Sequence, residues 1–360
     1  MIVKIFFVLS TILLSSAFAG RKGELVSLIQ VYRHGQRSPI KFYPNDPYQD
    51  ISYWNVTVGQ LTNTGKLQHY KLGQYTRRRY SDFIPKYYSN EFFRVQSTVV
   101  NRTFMSAASN VAGLFPPVGY QVWNQDLQWQ PIPVFPITDG VLIGSTTCNA
   151  YSTASSEVLT SDEYFVSALE ENQDLLAYLS EHTGNNVTSL SGIFMIWDAL
   201  EIEYLRGYTL PEWTESVFPE PLTSLASLSF LANSYTEELK ILCTGPFFNE
   251  LIEHFEGILA NSTDPPYLQF SGHDTNLAAI LDSLGASPSS VPGFASTIYF
   301  ELRQTRRRDY INIYYIDVSG GEPEPITLAG CGFDCDLQDF KSILSNRTIT
   351  TDEWAELCNA

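Results

Sequence analysis

Two short clusters in this chain have the residue types for phosphorus chemistry: Arg33-His34-Gly35-Gln36-Arg37-Ser38-Pro39 and His273-Asp274. Guanidiniums four residues apart can each donate paired hydrogen bonds to an anion with several oxygens. A neutral imidazole between them can act as a nucleophile towards phosphorus. Displacing an alkoxide then requires a proton donor, and a carboxylic acid beside the bound phosphate supplies one. Asp274 is the candidate donor, and His273 adds a further hydrogen bond to the equatorial oxygens. The plainer readings are a solvated basic loop for the first cluster and a helix N-cap for Asp274.

Both clusters need elements that bring them to one place. Leu25 to Tyr32 is almost continuously apolar and β-branched, the pattern of a strand buried on both faces. Tyr267 to Phe270 predicts a second strand that breaks at Ser271-Gly272, followed by a helix from Thr275 to Leu284 stopped by Gly285. In an open α/β sheet, ligands bind at the carboxyl ends of strands, where both histidines would then sit.

The remaining pattern fills in around these two units. Lys41 to Trp54 reads as irregular, and a helix runs to about Tyr80, capped by Thr62, with Leu67, Leu72 and Tyr75 on its buried side. His69 on that helix reads as structural. Glu91 to Ser97 predicts a strand, and Thr98 caps a helix that ends at Pro116-Pro117. Trp123 to Pro136 is loop or an extended arm. Ser161 to Ser180 predicts one helix closed at Gly184, and Ser234 to Leu259 is mostly helical. Ile298 to Arg303 and Tyr310 to Val318 form paired strands. The acidic, Ser/Thr-rich stretch 145–231 has helical periodicity without a strong strand and reads as a helical cap inserted between 21–144 and 232–360, the two parts of an α/β domain.

Composition excludes several function classes. A net charge of −17 leaves no basic stripe to neutralise nucleic-acid phosphates. It also repels anionic substrates, so local arginines must hold them. Residues 1–19 have the charged start, apolar stretch and Ala17-Phe18-Ala19 ending of a secretory signal. No later apolar run approaches the ~18 residues of a membrane span, so a soluble exported protein is expected. Sequons at Asn55, Asn186, Asn261 and Asn346 fit a glycoprotein, whereas Asn101 falls in an apolar helical stretch and is set aside. Five cysteines (148, 243, 331, 335, 358) leave at least one unpaired in an oxidising route, and Cys331 and Cys335 are spaced for a tight local bridge. No histidines accompany them at metal-ligand spacing.

The chain resembles the histidine acid phosphatases of the prostatic and lysosomal type, and more closely the insect venom acid phosphatases. RHGQRSP and SGHDTN carry the resemblance, with Gly59-Gln60-Leu61-Thr62, Asn101-Arg102-Thr103, Met105-Ser106-Ala107, Leu114-Phe115-Pro116-Pro117, Trp129-Gln130-Pro131 and Leu328-Ala329-Gly330-Cys331. It implies a mixed central sheet flanked by helices, a helical cap, and an active site between them. His34 would be phosphorylated, Arg33, Arg37 and His273 would hold phosphate, and Asp274 would protonate the leaving group. Disulfides Cys148–Cys358 and Cys331–Cys335 are implied, leaving Cys243 free. No metal or organic cofactor is implied, and relatives are often homodimers.

One departure stands out. Where the family usually has Arg-Ser-Thr-Asp-Val-Asp-Arg-Thr, this chain has Gln96-Ser97-Thr98-Val99-Val100-Asn101-Arg102-Thr103. The leading arginine, normally a third phosphate clamp, is Gln96 here. Arg94 lies two residues earlier on the same strand face and is the candidate replacement. The expected function is a secreted, or secondarily lysosomal, acid phosphatase acting on small phosphomonoesters. The alternatives are a phytase-like phosphatase, which calls for a basic substrate rim, and a non-catalytic secreted or venom protein on the same scaffold.

Overall fold

In the computed structural model, residues 23–138, 140–142, 148–287, 290–317 and 320–359 are described; the expected secretory signal, 1–19, lies outside them. Strand β1 (Glu24–Arg33) is followed by helix α1 (Asn63–Arg79), strand β2 (Phe93–Ser97), helix α2 (Asn101–Leu114) and strand β3 (Val134–Pro136). Five helices come next: α3 (Asn149–Ser161), α4 (Glu163–Glu170), α5 (Gln173–Thr183), α6 (Leu190–Leu205) and α7 (Leu222–Leu231). The long α8 (Glu237–Leu259) leads into β4 (Tyr267–Gly272), α9 (Asp274–Ser283), β5 (Thr297–Gln304) and β6 (Asp309–Ile316). Two short strands, β7 (Glu324–Ile326) and β8 (Cys335–Asp336), precede α10 (Leu337–Leu344) and α11 (Thr351–Asn359).

The fold is mixed α/β, as expected. Strands run in the order β3-β2-β4-β1-β5-β6-β7, with β8 on β6. The β2, β3, β4 and β1 pairings are parallel, and β5, β6, β7 and β8 join antiparallel. Alternation along β1 explains its apolar run. Ile29 and Val31 pack into the core under α8, α9 and α10, whereas Leu28 packs with Ala107, Val111 and Leu114 of α2 on the other face. A strand covered on both faces has no use for the polar-apolar alternation of a half-exposed one. The helices of the 149–231 stretch bury a separate core around Ile193, Ile196, Leu200 and Leu222, which also takes in Leu239 and Leu242 of α8, Ala278 and Ala279 of α9, and Trp354 of α11.

Cys148–Cys358 and Cys331–Cys335 are both formed, the first across a sequence separation of 210, and Cys243 is free and buried. Several local expectations need correction. Leu67 is 50 % exposed, so α1 buries Leu72, His69 and Thr76 instead. The helix expected from Ser161 to Ser180 is two helices, broken at Glu171-Asn172, although Gly184 does end the second in a left-handed conformation at φ 75°. Thr98 does not cap α2; the helix starts two residues later behind Val100, which has no side-chain acceptor to offer. Asn101 stands exposed at the start of α2 rather than inside an apolar face. No helix among the described residues is long and apolar enough to cross a membrane.

Candidate active site

Sheet register brings the two clusters together. β1 and β4 are parallel neighbours in which Arg33 pairs with Gly272, so the chain leaves both strands at the same edge. The His34 N–H donates to the Gly272 carbonyl at 3.0 Å, and the Thr98 N–H, just past β2, donates to Ser271 O at 3.0 Å. Three strand ends therefore converge. The first loop is held from behind by α1 and α2: Gly35 N–H donates to Ser106 Oγ at 3.1 Å, and Gln36 N–H to Gln68 Oε1 at 2.7 Å. A Cβ on Gly35 would lie 2.3 Å from the Gly65 carbonyl oxygen, so only glycine permits this approach. His69 is buried in α1 and donates from Nε2 to the Arg33 carbonyl at 3.0 Å, which makes it a prop for the loop.

His34 is 1 % exposed. Its Nδ1 lies 2.8 Å from the Gly35 carbonyl, which can only accept, so Nδ1 carries the proton and Nε2 keeps its lone pair. Burial first, then the charges of Arg33, Arg102 and Arg37, push its pKa well below the ordinary imidazole value. The neutral ring is thus favoured, with its Nε2 lone pair unprotonated. His273 packs edge-on to it, with ring centroids 5.6 Å apart. Arg102 Nη2 lies 3.4 Å from His273 Nδ1; a guanidinium can only donate, so His273 Nε2 bears the proton and donates to Thr98 Oγ1 at 3.0 Å. Burial and the neighbouring arginines lower the His273 pKa to about 4.

Asp274 opens α9 as its first residue, behind His273 as the cap; the expected N-cap role for Asp274 is shifted by one. Its Oδ2 is 2.7 Å from Arg33 Nη2. Burial alone would raise this carboxyl, but Arg33, Arg37 and His273 hold it below the usual carboxylate value. Arg33 also packs its guanidinium 4.1 Å from the Phe294 ring centroid. Arg37 makes a fork to both oxygens of Asp198 on α6, at 2.8 and 2.9 Å, with both side chains buried.

His34, Arg37, His273 and Asp274 line a cavity of about 520 Å³. The helical stretch lines its far side with Leu159, Phe194, Met195 and Phe230, interspersed with the hydroxyls of Tyr151, Ser155, Ser191 and Ser229. Arg33 lines a neighbouring cavity on the other side of Asp198. Neither Gln96 nor Arg94 lines the His34 cavity: Gln96 is buried within β2, and Arg94 is exposed, its guanidinium 5.2 Å from the Phe135 ring centroid. The expected replacement by Arg94 is therefore not in place. Two residues at the site carry little signal in the sequence. Asp198 shows there only as an acid inside the apolar run Ile193 to Leu200, and Arg102 only as part of the Asn101-Arg102-Thr103 motif, with no role read for it. Among the described residues no cluster of three or more His, Cys, Asp or Glu side chains could hold a metal ion.

Residues 24–318 match the Histidine phosphatase superfamily (branch 2). Over 346 residues the chain is 34 % identical to prostatic acid phosphatase of Bos taurus, covering 94 % of this chain and 88 % of that protein. To lysosomal acid phosphatase of Rattus norvegicus it is 34 % identical over 337 residues, covering 91 % and 78 %. Among solved structures, Hafnia alvei phytase in complex with tartrate has a TM-score of 0.67 at 16 % identity, covering 92 % of this chain and 99 % of that one, a likeness of fold alone. With a family match over most of its length and relatives at this identity, the chain belongs to branch 2 of the histidine phosphatase superfamily.

Proposed function

We propose that the protein is a secreted acid phosphatase that hydrolyses small phosphomonoesters through a phosphohistidine on His34. The observation that carries this reading is the Nδ1–H···O=C bond from His34 to Gly35, which leaves the Nε2 lone pair free in a ring kept neutral by its surroundings. The family membership and the names of the curated relatives support the same chemistry.

Phosphate enters with Arg37 and His273 along the cavity wall and Arg33 beside Asp274. His34 Nε2 attacks phosphorus, the N–P bond forms, and the ester P–O bond breaks. Asp274 gives its proton to the departing alkoxide, so the alcohol leaves neutral. Water then attacks phosphorus, Asp274 takes the water's proton, and the N–P bond breaks to release inorganic phosphate and restore His34. The lowered pKa of Asp274 fits this cycle once substrate is bound. The dianion engages the arginines that had stabilised the carboxylate, and its own charge opposes ionisation of Asp274. Acid conditions favour the protonated donor, and His34 tolerates them because its pKa is depressed.

The far side, made of apolar and hydroxyl side chains with no lysine or arginine from the helical stretch, favours esters of small neutral alcohols over a polyanion such as phytate. Export rests on residues 1–19 and glycosylation on Asn55, Asn186, Asn261 and Asn346. Turnover of p-nitrophenyl phosphate by the purified protein, followed from pH 3 to 9, tests the reading. An acidic optimum is expected, and absence of turnover across the range would favour the non-catalytic scaffold.

A further inference from the structure

Between Pro39 and Gly59 the chain leaves the catalytic loop, reaches the helical stretch and returns to its starting point. Hydrogen bonds close the base of this segment: Gly59 N–H donates to Pro39 O at 2.9 Å, Ser38 N–H to Gln60 O at 3.1 Å, and Ser38 Oγ to Thr57 O at 2.8 Å. Towards its tip the Asn45 N–H donates to Thr183 O at the end of α5, at 3.1 Å, and Tyr48 Oη to Thr209 O at 2.7 Å. Inside that contact Tyr43 and Asp46 are each 2 % exposed, and Glu203 of α6 is 0 % exposed. Asp46 Oδ1 accepts the Tyr48 N–H at 2.7 Å. Asp46 Oδ2, both Glu203 oxygens and the Tyr43 hydroxyl have no partner among the described residues.

The two carboxyl groups lie within hydrogen-bonding reach of each other, with the Tyr43 ring beside them. Among the described residues no cation lies within ion-pairing distance of either acid. Arg206, just past α6, spends its guanidinium on the rings of Trp54 and Tyr208 and on the Tyr53 carbonyl. Of the other titratable groups around the pair, Tyr48 and Tyr208 donate their hydroxyls to the Thr209 and Tyr53 carbonyls, and the His182 ring stacks on Trp213. Farther along α6, Asp198 is taken up by Arg37. Two dry carboxyl groups in contact without a counter-ion cannot both be ionised, whereas one proton held between them satisfies the geometry. The Tyr43 hydroxyl is then placed to donate to the remaining charge.

We propose that Asp46 and Glu203 form an acid-dependent clasp: a proton shared between their carboxyls fastens the segment 41–58 onto α6, and its loss as pH rises frees that segment. The clasp is a second tie, beside the Arg37–Asp198 fork, between the catalytic loop and the helix that carries Phe194 and Met195 to the cavity. Burial, then Asp46, raises the Glu203 pKa, so the closed clasp keeps its proton above ~4.3, where a solvent-exposed Glu has lost it. Opening therefore releases about one proton and becomes about tenfold more favourable for each pH unit above that value. Closure is complete in acid and weakens upward.

Hydrogen–deuterium exchange on the whole protein from pH 5 to 8 tests this, each rate divided by that of the same peptide in the unfolded chain at the same pH. Protection of the peptide containing Asn45 should fall about tenfold per pH unit in wild type. It should stay level in Glu203→Gln, whose amide donates to the Asp46 carboxylate without a titrating proton. Asp46→Asn makes the same bond from the other side and decides the matter should Glu203→Gln fail to fold. Level protection in wild type, or an equal fall in the amide variants, overturns the proposal. So does exchange at Asn45 no faster than in the β4 peptide, because then only global unfolding exposes the segment. A second readout, the link to the cavity, rests on the phosphatase reading. The alkaline limb of kcat/KM for p-nitrophenyl phosphate should fall less steeply in Glu203→Gln than in wild type, since titration of Asp274 is common to both. Superimposable limbs would overturn that link. A protein that turns over nothing at any pH would instead overturn the phosphatase reading, and exchange alone would then decide the clasp.

Discussion

The sheet edge and the helical stretch 149–231 contribute to one cavity by different physics. At the sheet edge, backbone register does the positioning: parallel pairing of β1 with β4 sets His34 beside His273, and the loop amides of His34, Gly35 and Gln36 are tied to a strand end or to α1 or α2. The helical stretch supplies side chains through packing. Asp198 reaches Arg37 from α6, while Phe194 and Met195 line the far side of the cavity. The loop carrying His34 is thus held by backbone hydrogen bonds, and the opposite wall mainly by packing of helices against one another. The helical stretch is also stapled to the C-terminal helix that shares its core, since Cys148 at the start of α3 is bridged to Cys358 in α11.

Removing the nucleophile should give the largest effect. His34→Ala is expected to cost on the order of the 10⁶-fold seen when a covalent nucleophile is deleted elsewhere. The unfolding midpoint should barely move, because the ring's hydrogen bond is to its own neighbour's carbonyl. Steady-state turnover within tenfold of wild type would place the chemistry elsewhere. Next in size is the bridge that staples the helical stretch to α11. Opening Cys148–Cys358 as the double serine variant releases a loop of 210 residues and should cost roughly 5 kcal/mol in the chain-entropy picture, read by urea unfolding. A loss under 1 kcal/mol would mean that packing alone holds α3 and α11 together.

Asp198→Asn probes the charge that the helical stretch brings to the site. It leaves the buried Arg37 without its counter-ion, so a loss of about 3–5 kcal/mol in stability is expected, with a raised KM because Arg37 is no longer forked. An unchanged KM would reduce the helical stretch to a wall. A pH-dependent effect concerns a second acid on α6. Glu203 is buried beside Asp46, and oxygens of both carboxyls lack a donor, which a shared proton would satisfy. Burial, then Asp46, raises the Glu203 pKa far above that of the unfolded chain. A raised folded-state pKa makes the protonated form the stable one. Stability is therefore complete below about pH 4.3, the unfolded Glu value, and declines as pH rises towards the folded value, by at most about 1.4 kcal/mol per pH unit. Glu203→Gln should flatten that decline in pH-dependent urea unfolding. An unaltered slope would assign it to other groups.

What can be read from the sequence follows the same division. The β1 and β4 units announce themselves through uninterrupted apolar runs ending in charged or glycine-containing turns, so residue order alone singles out His34, Arg33, Arg37, His273 and Asp274. Positions set by tertiary packing leave no such mark. Asp198 lies 161 residues from its partner Arg37, and no local pattern encodes that distance. Leu67 fits the helical period yet faces out, because the close approach of α1 to α2 uses a different stripe. Arg94 shares a strand face with Gln96, but it lies farther from the carboxyl edge and stacks on Phe135 instead. Arg102 belongs to the Asn101-Arg102-Thr103 motif, but only the fold shows that its guanidinium lines the cavity of His34 and reaches His273.

The central claim is a covalent bond between phosphorus and His34, and trapping it is the most direct test. Wild-type protein mixed with ³²P-labelled phosphomonoester at its acidic optimum, quenched within milliseconds by alkali and mapped by mass spectrometry, should carry label on the peptide containing His34. The bond should be alkali-stable and acid-labile, as expected of a phosphoramidate, and absent from His34→Ala. Label on no residue during rapid turnover, or on a residue other than His34, would contradict the account.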